Sequence, residues 1–292
     1  MAVRRSATPV VLKFGGELLE EPARLAALAA ALARLSRTTP LVIVHGGGRE
    51  IDAALARAGI ERRQVDGLRI TDEPTLDIVV GVLAGVINTR LVASLAAIGV
   101  PAVGLTGADA GIGPVEPAGP HMSTSGTTVD LGRVGEPIGK DKPALLLDLC
   151  RNGYVPVVSS IGAARDGRLF NVNADTLAAN LAGRLKSPRL VIAGATAGVL
   201  GADGGTIADL SLDGLRSLVG GGGATAGMIA KLSACRSAVE NGAREVFIAD
   251  GRDGSALAVL ARYGRAAGAA VGTRIVAGTR MKRSAAKRTK AS

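Results

Sequence analysis

Two lysines stand in apolar surroundings. Lys13 interrupts the run Val10-Val11-Leu12-Lys13-Phe14 and lies two residues before Gly15-Gly16. Lys231 follows Met228-Ile229-Ala230, just after the glycine run 220–223. A surface lysine can lay its stem on apolar neighbours and keep its ammonium in water. An ammonium inside a buried strand needs an anionic partner, from the protein or from a ligand. Three glycine-rich segments, at 15–16, 46–48 and 220–223, follow strand-like runs or precede helix-like ones. Free N–H groups and a helix dipole suit such loops to a phosphate or carboxylate, although any one of them is equally a tight turn. None reads G-x-x-x-x-G-K-[ST] or G-x-G-x-x-G, so the P-loop and the dinucleotide fingerprint are excluded.

Asp175, in Asn171-Val172-Asn173-Ala174-Asp175, opens a helix. It is either an N-cap or a carboxylate placed to hold the two lysines. Arg69, in Val65-Asp66-Gly67-Leu68-Arg69, can clamp a carboxylate through its planar fork, or is a plain loop arginine. His45 and His121 are the only histidines and neither has an acidic cluster, which argues against a zinc site and a histidine triad. No G-x-S-x-G elbow occurs.

The elements that must position these residues follow from periodicity and punctuation. Runs 10–14, 41–44, 102–105, 156–160, 189–193, 245–249 and 272–277 read as strands, most of them continuously apolar. Helical patterns cover 22–35, 49–58, 74–97, 142–152, 176–185, 212–218, 227–241 and 254–263. Residues 66–69 read as a loop, and 107–137 as a β-hairpin excursion at the sheet margin. Alternating buried strands and helices predict an α/β fold, a three-layer αβα sandwich around a mostly parallel sheet.

Composition narrows the function. The chain has 292 residues, 47% hydrophobic and 21% charged, but only 2% aromatic with no Trp, so aliphatic side chains must build the core. The net charge is +10. Much of it sits in Arg4 and Arg5 and in the six basic residues of 280–292, leaving a nearly neutral body. That argues against a specific nucleic-acid partner, which requires a basic folded surface. Residues 1–9 and 280–292 are expected to be disordered tails. Two cysteines and no leader-like apolar core fit a cytoplasmic setting. The longest apolar run, 78–87, is too short for a bilayer, so no membrane partner is expected.

Taken in order, Val11-Leu12-Lys13-Phe14-Gly15-Gly16, Val42-Ile43-Val44-His45-Gly46-Gly47-Gly48, Gly67-Leu68-Arg69, residues 171–175 and Gly227-Met228-Ile229-Ala230-Lys231 resemble the amino acid kinase family, and within it the branch that acts on N-acetyl-L-glutamate. The likeness spans about 10–277. It implies one amino acid kinase domain over 10–279, with a substrate lobe at about 10–185 and a nucleotide lobe at about 186–279. It implies ATP-dependent phosphorylation of the side-chain carboxylate of N-acetyl-L-glutamate, in arginine biosynthesis, with Mg²⁺ carried on the ATP phosphates and no protein metal site. Under this resemblance Lys13, Lys231 and Asp175 are catalytic. Gly47, Gly48, Arg69 and Asn171 bind substrate. Gly15, Gly16, Ala195, Thr196, Ala197, Gly198, Val199, Leu200, Gly223, Ala224 and Thr225 bind nucleotide.

Ala195 stands where the family usually has an aspartate, and Ala226 where an acid is frequent; both bear on nucleotide affinity and choice. A sister kinase acting on an aminoadipate-type substrate and a non-catalytic binding protein of the same fold are the alternatives. A homodimer insensitive to arginine is expected, because residues 1–9 are too few for the extra N-terminal helix of the arginine-sensitive hexamers. The apolar helix 74–97 is the candidate two-fold contact.

Overall fold

Residues 8–201, 203–220, 225–264 and 271–277 are described in the computed structural model. The expected tails fall mostly outside them, as do Gly223 and Ala224. Strand β1 (Val10–Phe14) is buried along its length and leads through a 3-10 turn, Gly16–Leu18, into helix α1 (Pro22–Ser36). Pro22 sits in the first turn of α1, where its fixed φ helps and its missing N–H costs nothing. Strand β2 (Leu41–His45) is likewise buried and runs into helix α2 (Gly48–Arg57).

Residues 66–69 are not a plain loop. β3 (Gln64–Val65) and β4 (Leu68–Arg69) form a hairpin around Asp66 and Gly67, at φ 47° and 78°. Positive φ at both central residues matches the right-handed strand twist, and Asp-Gly supplies it at low strain. Next, α3 (Glu73–Val80), a π-helical stretch (Gly81–Ile87) and α4 (Asn88–Ala96) form one 24-residue helix. Asp72 caps its start, accepting a hydrogen bond from the Thr75 N–H at 3.0 Å. By length and composition this helix could cross a membrane, which the ten-residue run 78–87 alone did not suggest. One of its faces is buried in the core through Val79, Leu83, Ile87, Leu91 and Leu95.

Strand β5 (Ala102–Thr106) precedes the expected excursion, which is two antiparallel pairs. β6 (Val115–Pro117) pairs with β9 (Gly135–Pro137), and β7 (His121–Met122) with β8 (Thr128–Val129). Helix α5 (Ala144–Arg151) and strand β10 (Val155–Ser159) follow. Then comes a hairpin the residue pattern did not reveal, β11 (Ile161–Ala163) with β12 (Leu169–Asn171), which delivers the chain to helix α6 (Ala174–Leu185). The remainder is β13 (Arg189–Gly194), β14 (Asp209–Ser211), α7 (Leu212–Gly220), α8 (Ala226–Glu240), β15 (Glu245–Asp250), α9 (Gly254–Tyr263) and β16 (Thr273–Val276).

The central sheet runs β14-β16-β15-β13-β1-β2-β10-β5. All its pairings are parallel except β15 with β16. On one face Val10, Leu12 and Phe14 pack with side chains of α1, α4 and α9; on the other Val11 packs with α5, α6 and α8. This is the expected α/β sandwich. Successive strand residues alternate faces, so Lys13 shares the α6–α8 face with Val11.

Inside the sheet, His45 and Asn88 form a buried polar node. Asn88 Nδ2 lies 3.1 Å from His45 Nε2 and donates to the Val157 carbonyl at 2.9 Å. Burial pulls the His45 pKa down to about 4, so the ring is neutral at pH 7. Nε2 then accepts from Asn88, and Nδ1–H faces the Gly46 carbonyl at 3.3 Å.

The unfolded imidazole titrates near 6.5 and the folded one near 4, so the unfolded chain binds more protons in between. The stabilisation from a neutral His45 is therefore complete above pH 6.5 and is lost as pH falls toward 4, by about 3 kcal/mol at most. His45→Gln should flatten this slope. Urea unfolding at a series of pH values between these limits measures it, and an unchanged slope in the variant would show that other groups set the acid sensitivity.

Candidate active site

The two lysines meet on Asp175. Lys13 Nζ, from the middle of β1, lies 2.8 Å from Asp175 Oδ1. Lys231 Nζ, from α8, donates to Asp175 Oδ2 at 3.1 Å. Lys13 and Asp175 side chains are each 8% exposed, and Lys231 is 18% exposed. Burial alone would raise the Asp175 carboxyl; the charges of Lys13 and then Lys231 outweigh it and hold the group below the usual carboxylate range. Asp175 is not the helix cap. Asn173 is, its side-chain oxygen accepting from the Asp175 N–H at 2.8 Å and from the Thr176 N–H at 3.2 Å. The carboxylate is thus left free for the lysines while the backbone of α6 stays satisfied. Cys235 lies buried beside this triad, and burial followed by the Asp175 charge pushes its thiol far up, which excludes a thiolate nucleophile.

Three backbone loops close around the triad. Gly16 and Gly47 touch, and a Cβ on Gly16 would lie 2.8 Å from the Gly47 Cα. A Cβ on Gly46 would lie 3.3 Å from that of Ala174. A Cβ on Gly47 would strike Ile87 from the π-helical stretch, with Leu83 at 3.1 Å. Gly15, Gly16, Gly46, Gly47 and Gly48 line a cleft of about 290 Å³ together with Lys13, Arg69, Asn171 and Asp175. Lys231 reaches this cleft through Asp175.

Arg69 enters the cleft from β4. Its Nη2 pairs with Asp52 Oδ1 of α2 and donates to the Gly48 carbonyl at 3.3 Å. Its Nη1 is buried without a hydrogen-bond partner among the described residues. Asn171 Nδ2 donates to Thr71 Oγ1 at 3.2 Å from the end of β12.

A second, more apolar cavity of about 450 Å³ opens beyond β13. Ala195, Thr196, Ala197, Gly198, Val199, Leu200 and Thr225 line it with Leu218, Met228 and Leu232. Gly198 takes φ 155°, and the Val199 N–H donates to Thr273 Oγ1 at 2.8 Å, which ties this segment to β16. Thr225 caps α8, accepting from the Met228 N–H at 3.4 Å. Gly15 and Gly16, grouped with the nucleotide side from sequence, line the lysine cleft. Asp52, Glu17, Gln64 and Ser160 belong to the cleft or its lining and were not singled out from sequence. Asp52 lies inside an ordinary amphipathic helix and also pairs with Arg62 at 3.1 Å; its pairing with Arg69 is what links it to the cleft.

The model of the amino acid kinase family matches residues 8–250. The chain is 40% identical over 262 residues to the acetylglutamate kinase of Caulobacter sp. (strain K31), covering 86% of each chain. It is 41% identical over 239 residues to that of Chloroflexus aurantiacus, covering 82% of this chain and 90% of that one. Among solved structures it resembles N-acetylglutamate synthase from Neisseria gonorrhoeae complexed with coenzyme A and N-acetyl-glutamate, with a TM-score of 0.76 and 27% identity. That match covers 93% of this chain, which spans 60% of the synthase's length. Carbamate kinase from Giardia, at 14% identity and a TM-score of 0.67, shares the fold over 94% of this chain. On the family match and these identities, the chain belongs to the amino acid kinase family.

Proposed function

We propose that this chain transfers the terminal phosphoryl group of ATP to the side-chain carboxylate of N-acetyl-L-glutamate, forming N-acetyl-L-glutamyl 5-phosphate in arginine biosynthesis. The observation that carries the reading is the Lys13–Asp175–Lys231 bridge at a glycine-walled cleft, in a chain about 40% identical to acetylglutamate kinases. An acceptor carboxylate is already ionised at pH 7 and needs no general base. One acceptor oxygen attacks the γ-phosphorus in line, the bond to the β,γ-bridging oxygen breaks, and ADP leaves with that oxygen's electron pair. Charge neutralisation and positioning then dominate catalysis. Lys13 and Lys231 carry positive charge to the transferring phosphoryl group, and Asp175 holds both ammoniums in place. Glycine N–H groups of the touching loops add fixed dipoles.

Arg69 Nη1 suits a substrate carboxylate, and Asn171, Gly47 and Gly48 supply the remaining polar contacts at that end. The apolar cavity of residues 195–200 suits a nucleotide base, with Thr225 and residues 223–224 nearby in sequence. The substrate lobe is then about 10–185 and the nucleotide lobe about 186–279. Among the described residues no three His, Cys, Asp or Glu side chains form a cation cage. The carboxylates near the cleft are few, a donor set that fits Mg²⁺ arriving on the ATP phosphates and screening their charge. We place the enzyme in the cytoplasm. We pair two copies through the long helix, which packs against the sheet's edge strand β5 and leaves Val86 53% exposed.

A coupled ADP-release assay tests the activity. Turnover should be highest with N-acetyl-L-glutamate and much lower with glutamate, aspartate or N-acetyl-aminoadipate; preference for the last would reassign the acceptor. In the same assay Lys231→Ala should lower kcat by roughly 10²-fold or more. Arg69→Lys should instead raise KM for N-acetyl-L-glutamate, since the planar fork is lost while the charge stays. Retained kcat in the first variant, or unchanged KM in the second, would reject the corresponding role. Light scattering should give the mass of two chains, and Val86→Glu should halve it; a mass near one or six chains in the unmodified protein contradicts the pairing.

A further inference from the structure

Glu17 is the charged residue of the cleft to which the chemistry above gives no task. Lys13 and Lys231 both pair with Asp175, and Arg69 pairs with Asp52. The Glu17 side chain has no hydrogen bond or ion pair with any described residue. Its position is specific. The carboxyl group folds back over Gly15, where any Cβ would strike it, and one oxygen lies 3.3 Å from the place a Cβ on Gly194 would take. Gly15 follows β1 and Gly194 ends β13, and these strands are neighbours in the sheet. Two absent side chains therefore make the space that the carboxyl group fills. It stands over the carboxyl ends of two central strands, where ligands of such sheets bind. It also lies between the lysine cleft and the segment that lines the apolar cavity.

Electrostatics gives this position a consequence. A triphosphate and an acceptor carboxylate meeting here would both be repelled by an unmatched carboxylate. A divalent cation between them turns that repulsion into attraction. Mg²⁺ keeps several waters and commonly takes one or two protein carboxylates besides substrate phosphates, so a single glutamate is a sufficient protein contribution. We propose that Glu17 is the protein ligand, direct or through one water, of the divalent cation carried on the ATP phosphates. This rests on the phosphotransfer reading above. The competing explanation is that Glu17 merely places an acid in the first turn of Gly16–Leu18, a turn of three residues.

Calorimetric titration with a non-hydrolysable ATP analogue, with and without Mg²⁺, separates the two. Glu17→Gln should bind the metal-free analogue at least as tightly as the unmodified protein. Its gain in affinity on adding Mg²⁺ should be smaller by about tenfold or more, the scale of losing a metal-orienting carboxylate. With Mn²⁺ in place of Mg²⁺, water-proton relaxation and electron paramagnetic resonance of the ternary complex should also change in the variant. Glu17→Asp should recover part of the metal effect. Equal metal enhancement and an unaltered Mn²⁺ signal in Glu17→Gln would overturn the proposal and leave the kinase reading standing. Loss of metal-free analogue binding in the variant would overturn it too, because the carboxylate would then be shaping the loop. No analogue binding by the unmodified protein would overturn both readings.

Discussion

One carboxylate shared by two ammoniums governs the arrangement of this molecule. Taking an ion from water into a protein interior costs several kcal/mol even after relaxation. Lys13 and Asp175 are both almost fully buried, so each depends on the other. Lys231 adds a second positive charge to the same carboxylate. The cluster carries more positive than negative charge, and an anion completes it. This requirement reaches through the fold. β1 must lie inside the sheet to bury Lys13, α6 must begin where Asp175 can face it, and α8 must pack beside α6 to bring Lys231. Asn173, by capping α6, releases Asp175 from the local hydrogen bonding that would otherwise hold it.

The walls of the cleft are set by backbone proximity more than by side chains. Gly16 against Gly47 leaves no room for a Cβ, so these two loops pack main chain to main chain. Gly47 in turn rests on Leu83 and Ile87 of the π-helical stretch. A π-helical stretch re-phases a helix and is frequent at functional sites. Here the helix resumes its α-helical form at Asn88, and Asn88 meets His45 at the foot of the same glycine loop. The long helix thus contacts the loop twice, by apolar contact at Gly47 and by hydrogen bond at His45. Neutrality of His45 matters to this contact, because a charged ring would lose the acceptor that Asn88 uses.

The sheet and its helices were legible because their signals are local. Val10-Val11-Leu12 and Leu41-Val42-Ile43-Val44 are continuous apolar runs, and Gly15-Gly16 and Gly46-Gly47-Gly48 mark where they stop. Lys13 was legible as an exception to its own run. The hairpin of β11 and β12 was not, since three-residue strands carry too little periodicity to register. The hairpin at Asp66-Gly67 was visible only as a loop, because its strands are two residues each. Asp52 and Glu17 escaped notice for another reason. Acids on exposed helix faces and in first turns are ordinary, and only the fold brings Asp52 to Arg69 and turns Glu17 over Gly15.

The order of the strands explains why one sheet can serve two ligands. From β1 the chain passes to β2 and out to the edge strand β5, returns to insert β10 between them, and then crosses over to β13 and β15 on the other side of β1. The connections leaving β1 and β13 therefore diverge, and a crevice opens beyond their carboxyl ends. The cleft with the paired lysines lies on the β1–β2 side, and the apolar cavity on the β13 side. Gly15, Gly16 and Gly194 stand at the divide. Each lacks a side chain at a point where one would fill the crevice or strike a neighbour. A group passing from one ligand to the other must cross this divide, and Lys13 is the positive side chain rooted in β1 directly beneath it. The topology, the glycines and the buried ion cluster are thus one constraint: an anionic transfer needs a gap in the backbone with positive charge held under it.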